Sequence, residues 1–160
     1  MAIAKSKKRG RSAIDVLEAD HVRLRTLLGQ LEKATTPDRR ADLLARTKAA
    51  IVLHADAEES VFYPAFRDAA RTKEDKKLFF EAHEEHHLVD VVIPELEQAP
   101  LAGDVFAAKA KVLMDLVEHH AGEEEGQMFP RARKLLDAEA LAELGGRLTA
   151  ALRPAALQRA

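Results

Sequence analysis

The chain has 160 residues, and 25 Lys and Arg against 27 Asp and Glu leave a formal charge of −2 with histidine neutral. That balance argues against a polycation working on nucleic acid, and the absence of cysteine excludes disulfides, zinc ribbons and thiol catalysis. Apolar residues at 47% and charged residues at 32% are ordinary for a soluble globular protein with one substantial core, and no apolar run approaches the roughly 20 residues of a membrane span.

Residues 1–11 carry Lys5, Lys7, Lys8, Arg9 and Arg11 with no apolar stretch behind them. No secretory signal is expected there, only a disordered basic tail, and the default setting is cytoplasmic. Residues 12–152 are expected to form one domain. Ser12 followed by Asp15 reads as a capped helix start. Ile14, Leu17, His21, Leu24, Leu28 and Leu31 then recur at spacings of three and four, a stripe on one helix face. Thr36-Pro37-Asp38 is a break. A second helix, from about Asp38 to Ala70, carries Leu44, Thr47, Ile51, His54, Glu58 and Val61 on its inner face, with a kink or interruption expected at Pro64. The third, from about Lys73 to Gln98, repeats the rhythm with Phe79, Ala82, His86, Val89, Ile93 and Leu96, and a bend is expected at Pro94. After the loop at 99–103, Asp104 is placed as cap of a fourth helix whose stripe is Phe106, Ala110, Leu113, Val117, His120, Glu124 and Met128. A short last helix is expected to carry Leu135, Leu136, Leu141, Leu144 and Leu148. Period-two alternation is absent, so the expected fold is all-α, an up-down-up-down four-helix bundle with a short C-terminal helix.

The two halves repeat at an offset of 65 residues (His21 to His86) or 66 residues (His54 to His120). His54-Ala55-Asp56-Ala57-Glu58-Glu59 through Pro64 aligns with His120-Ala121-Gly122-Glu123-Glu124-Glu125 through Pro130. Asp20-His21 through Leu31-Glu32 aligns likewise with Glu85-His86 through Leu96-Glu97. Two helix hairpins of one pattern imply a pseudo-twofold centre to which both contribute.

That repeat singles out His21, His54, Glu58, His86, His120 and Glu124, each on a stripe otherwise filled by aliphatic or aromatic residues. His54 and Glu58 are i,i+4, as are His120 and Glu124, so each pair shares a helix face. Without a ligand, two ionised carboxylates in an apolar core would cost several kcal/mol each, and each unpaired imidazole about 1–3 kcal/mol more. Those costs are comparable to a domain's net stability of roughly 5–15 kcal/mol. Divalent cations, for which imidazole and carboxylate are natural ligands, would neutralise the layer. Six side chains exceed the needs of one tetrahedral zinc ion, and a dinuclear centre fits the symmetry. The alternative is a buried His–Glu hydrogen-bond layer that fixes bundle register.

On Asp20-His21, His54-x-x-x-Glu58 before Phe62-Tyr63-Pro64, Glu85-His86, and His120-x-x-x-Glu124 before Met128-Phe129-Pro130, the chain resembles the hemerythrin-like, or HHE cation-binding, family over about residues 12–136. Ferritin-like di-iron bundles are the nearest rival, but they use Glu-x-x-His rather than His-x-x-x-Glu. The resemblance implies two non-haem iron ions with an oxo or hydroxo bridge, although manganese or zinc suits the same donors. It implies His21 and His54 on one ion, His86 and His120 on the other, and Glu58 and Glu124 bridging. Oxygen-carrying members have a further histidine where this chain has Ala82. His83, one residue along, is the expected substitute; otherwise that ion keeps an open position. His87 and His119 lie beside the stripes and are read as surface or supporting residues, as are Glu59 and Glu125, either of which could accept an imidazole's second N–H. Phe62, Tyr63, Met128 and Phe129, about two turns beyond His54 and His120, are read either as walls of the site or as ordinary core packing, two roles that can hold at once.

The resemblance therefore implies a protein that binds O₂ or a related small molecule, peroxide or nitric oxide, for sensing, carriage or oxidative-stress defence, in company with an unknown redox partner. The alternative is a di-iron enzyme that consumes peroxide or oxidises ferrous iron. A third reading, a regulatory module whose iron or redox state alters partner binding, rests on the basic tail alone.

Overall fold

A computed structural model describes residues 10–154. Most of the basic tail, residues 1–9, lies outside the described residues, so the expectation of disorder is not addressed there. By Arg11 the chain is already fastened: its Nη2 donates to the Asp15 carbonyl at 2.7 Å.

Helix α1 (Ala13–Lys33) starts at the expected cap, where Ser12 Oγ accepts from the Asp15 N–H and the Asp15 carboxylate accepts from the Ser12 N–H. Helix α2 (Pro37–Ala57) begins on Pro37, whose missing N–H costs nothing in a first turn. It continues through a π-helical turn (Glu58–Phe62) into α3 (Tyr63–Ala69). Helix α4 (Lys73–Gln98) opens on a second reciprocal cap, Thr72 with Asp75, and runs unbroken through Pro94. Helix α5 (Asp104–Glu123) is entered from Gly103 at φ 113°, a left-handed conformation that glycine adopts at no steric cost. Asp104 is thus the first helical residue rather than the cap. A second π-helical turn (Glu124–Met128) leads into α6 (Phe129–Leu135). The chain then breaks at Leu136, and Asp137 caps α7 (Ala138–Ala151) by accepting from the Glu139 and Ala140 N–H groups. Leu135 and Leu136 therefore precede the last helix instead of belonging to it.

Among the described residues there is no strand, and the architecture is the expected all-α bundle. Helix α1 packs on α2 and α5, α4 packs on α5 and α3, and α7 lies along α1. The interruption expected at Pro64 takes the form of the π turn. A proline ring would collide with the carbonyl four residues earlier, and widening the preceding turn relieves that contact at both Pro64 and Pro130.

Every residue of the first, second and fourth stripes is buried, and in the third only Phe79 is partly exposed. The apolar residues form two separate clusters. One contains Leu17, Phe62, Tyr63, Ala82, Phe129 and Leu144. The other contains Leu24, Ile51, Val89, Phe106 and Val117. Between Leu17 and Leu24, Ile51 and Ala57, Ala82 and Val89, and Val117 and Met128 stand the stripe histidines. The polar layer therefore divides the core in two.

Candidate metal centre

His21, His54, Glu58, His86, His120 and Glu124 are all buried at one level of the bundle. His54 Nε2 is 3.1 Å from Glu58 Oε1, and His21 Nε2 lies 3.2 Å from Glu124 Oε2 and 3.9 Å from Glu58 Oε1. On the other side, Glu58 Oε2 faces His86 Nε2 at 3.3 Å and His120 Nε2 at 3.6 Å. Glu124 Oε2 is also 3.7 Å from His120 Nε2. The two oxygens of Glu58 are thus divided between two histidine pairs. Two overlapping groups have the spacing of metal ligands: His21, His54, Glu58 and Glu124, and then Glu58, His86 and His120.

Four buried atoms here, His21 Nε2, His54 Nε2, Glu58 Oε1 and Glu124 Oε2, lack a hydrogen-bond partner. Buried polar atoms without partners are costly, and here they converge on one another. The donor set is one that a divalent cation satisfies.

The outward nitrogens are all held. Nδ1–H of His54 donates to Asp20 Oδ2 at 3.0 Å, and that of His120 donates to Glu85 Oε2 at 2.7 Å. Across the halves, His21 Nδ1–H donates to Glu125 Oε1 at 2.8 Å and His86 Nδ1–H to Glu59 Oε1 at 2.8 Å. An ionised carboxylate only accepts, so these contacts fix each ring with Nε2 turned inward. The acids of the Asp20-His21 and Glu85-His86 pairs therefore serve the histidine of the next helix, not their own neighbour. Glu59 and Glu125 take the role open to them from the sequence.

Electrostatics follow from this packing. Burial opposes protonation of His21, yet the nearby carboxylates of Glu124 and Glu58 outweigh it and lift its pKa to about 10. Burial likewise opposes protonation of His54, but the Glu58 charge and the Asp20 hydrogen bond raise its pKa to about 9. His86 and His120 are raised for the same reasons, by Glu58 and by Glu124 with Glu58. Burial works to neutralise Glu58, but His54, His120 and His21 hold its carboxyl well below the usual range.

Tyr63, which sequence reasoning placed only in the wall or the packed core, enters the layer itself. Its hydroxyl donates to Glu124 Oε1 at 3.0 Å, with Glu58 Oε2 and His86 Nε2 each 3.3 Å away. Burial and the two carboxylate charges push its pKa well above 10.0. On a regular helix Tyr63 would point about 140° away from Glu58. The wide π turn brings it beneath Glu58, and its N–H bonds to the Glu58 carbonyl. The matching Phe129 stacks on His21 at 5.7 Å, as the Tyr63 ring lies 5.5 Å from His86. Proline after two bulky residues was the available signal.

His83 does not join the layer. Its side chain is 43% exposed, 4.0 Å from Glu59 Oε1 and against the rings of Phe79 and Tyr63. Three residues from His86 is about 60° around the helix, enough to carry it off the inner face. His87 is exposed, as is His119, whose Nε2 lies 3.3 Å from the Glu85 carboxylate that holds His120.

No solved structure significantly matches the chain. It is 26% identical over 134 residues to a DNA nickase of Nostoc sp. (strain PCC 7120), a match covering 84% of this chain but only 37% of that protein. The family model for the hemerythrin HHE cation-binding domain matches residues 12–132. With that match over a four-helix bundle whose interior holds a layer of histidine and glutamate, the chain belongs to the hemerythrin HHE cation-binding domain family.

Proposed function

We propose that this chain is a non-haem di-iron protein that binds O₂ or a related small molecule, peroxide or nitric oxide, for sensing, carriage or oxidative-stress defence. The observation that carries the reading is the convergence of buried, unpartnered imidazole nitrogens and carboxylate oxygens between two apolar clusters. In this reading His21 and His54 hold one ion, His86 and His120 the other, and Glu58 and Glu124 bridge. The division of the Glu58 oxygens between the two histidine pairs supports the bridging role. His83, exposed and off the face, has no part in it. When bound, the metal pair supplies electron exchange with the small ligand. The chain's own residues orient the rings through Asp20, Glu59, Glu85 and Glu125, keep water out with the two clusters, and hold a hydroxyl proton at Tyr63. Manganese or zinc would satisfy the same donors. A cytoplasmic setting and an external redox partner belong to this reading.

Elemental analysis of protein from iron-replete cells, with optical spectra before and after reduction, tests the proposal. Two irons per chain and spectra that change reversibly as O₂ is added and removed are expected. Sustained peroxide consumption would move the protein to the enzyme class, and protein without bound metal would remove the reading altogether.

A further inference from the structure

Seven large apolar side chains stand exposed among the described residues, and five of them lie on α4 and α5: Phe80, Leu88, Val91, Val105 and Val112. Val105, Val112 and His119 recur every seven residues, so they share one face of α5. His119 meets Glu85 of α4 at 3.3 Å, which turns that face toward α4. The apolar residues therefore run along one side of the α4–α5 hairpin, and a contiguous apolar strip on a surface marks a contact site.

Phe80, at 63% exposure the barest of the seven, stands on a groove of about 940 Å³ between the two helices. Charge in the groove is divided about it. Lys73, Lys76 and Lys77 line one end, while Glu81, Glu84 and, from α5, Glu123 line the stretch beyond Phe80. Lys77 and Glu81 pair at 2.9 Å, but both are exposed and such a pair is easily exchanged. Lys73, Lys76 and Glu84 enter no ion pair among the described residues.

We propose that a second copy of this chain docks on the strip antiparallel to the first, about a twofold axis through Phe80, with Lys76 and Lys77 of each protomer against Glu84 of its partner. Lys76 and Glu84 each lie four residues from Phe80, so turning one helix end for end exchanges them. A twofold axis asks one patch to complement itself, and a patch basic at one end and acidic at the other does so only when the copies run in opposite directions. The two Phe80 rings then meet at the centre, where an aromatic side chain contributes most to a contact, and the charges fix the register. The pairing covers Glu85 and His119, which stand behind His120.

Sedimentation velocity of the full chain over a concentration series tests the pairing, with the helicity of each variant checked by circular dichroism. Wild-type protein should pass from monomer to dimer as concentration rises. Phe80→Ser, at an exposed position where folding is not at stake, should raise the dissociation constant about tenfold or more, and Leu88→Ser should raise it several-fold. Val22→Ser, exposed on α1, should leave it unchanged. Lys76→Glu/Lys77→Glu and Glu81→Lys/Glu84→Lys should each be monomeric alone, because like charges then face one another, and should form a dimer when mixed in equal amounts. A wild type that stays monomeric up to about 1 mM, a dimer indifferent to Phe80→Ser and Leu88→Ser, or a mixture of the two charge variants that stays monomeric would overturn the proposal.

Discussion

Each layer imidazole has its Nδ1 tied to a carboxylate from another element, Asp20 to His54, Glu85 to His120, Glu59 to His86 and Glu125 to His21. The Nε2 atoms are left to share Glu58 and Glu124, and in metal-free protein they do so as proton carriers. His21 and His54, ordinarily near 6.5, hold their protons to about 10 and about 9 in the folded chain. Their contribution to stability is therefore complete below pH 6.5 and is lost as pH rises toward 9 and 10. Glu58, held below its ordinary 4.5, works in the opposite sense, stabilising above that value and failing as acid protonates it. Chelator-treated protein should melt highest between these limits, with Tm falling steadily on the alkaline side. Metal affinity should rise over the same alkaline window, because each ion displaces protons. A Tm independent of pH across that window would contradict the proton-sharing layer.

At the scale of elements, the fold holds its site by pinning the ends of the bundle. Arg40 in α2 is buried, donating from Nε to the Ala34 carbonyl at 2.8 Å and from Nη1 to the carbonyls of Leu101 at 2.7 Å and Gly103 at 3.1 Å. Its guanidinium also lies 5.0 Å from the Phe106 ring centroid. One side chain thus ties the α1–α2 turn to the α4–α5 loop. Arg40→Ala would leave three carbonyls without their donor and should lower stability by about 2–4 kcal/mol in urea unfolding. Arg40→Lys should recover only part of that, because an ammonium cannot present the same planar fork. A loss within experimental error for Arg40→Ala would show that water replaces the donors freely. At the opposite end Asp75, fully buried, accepts from Arg131 at 2.6 and 3.0 Å and from the Arg71 and Thr72 N–H groups. That contact fastens α6 to the start of α4.

For the whole molecule, the pseudo-twofold seen in the repeat is realised in the contacts: Asp20 and Glu85 act within their own halves, Glu59 and Glu125 across them. The fourfold rhythm of the stripes made the bundle and the level of the layer legible, since His21, His54, His86 and His120 each replace an apolar residue at a 3.6-residue period. Tyr63 was not legible as a layer residue because its placement depends on a π turn, which breaks the period used to read faces. His83 looked eligible only because its small angular offset from His86 was treated as negligible; in a close-packed interior it is enough to leave the ring half-exposed against Phe79 and Tyr63, outside the layer. The partner of each Nδ1 was hidden because adjacent residues on one helix serve different helices. The approach of α7 was equally invisible: a Cβ at Gly145 would sit 2.0 Å from the Arg11 carbonyl oxygen, whereas one at Gly146 would meet nothing within 4 Å. Gly145→Ala should therefore cost about 1–3 kcal/mol by overpacking. Gly146→Ala should gain up to about 1 kcal/mol from helix propensity, and equal effects in denaturant unfolding would deny the close crossing.

The central claim is that this buried layer exists to hold a metal pair, and metal stoichiometry in site variants tests it most directly. Wild-type protein should retain two ions per chain. His54→Ala and Glu124→Ala should lose most of the metal while remaining helical, and His119→Ala should retain it. Equal loss from all three variants, or full metal content in His54→Ala and Glu124→Ala, would contradict the account.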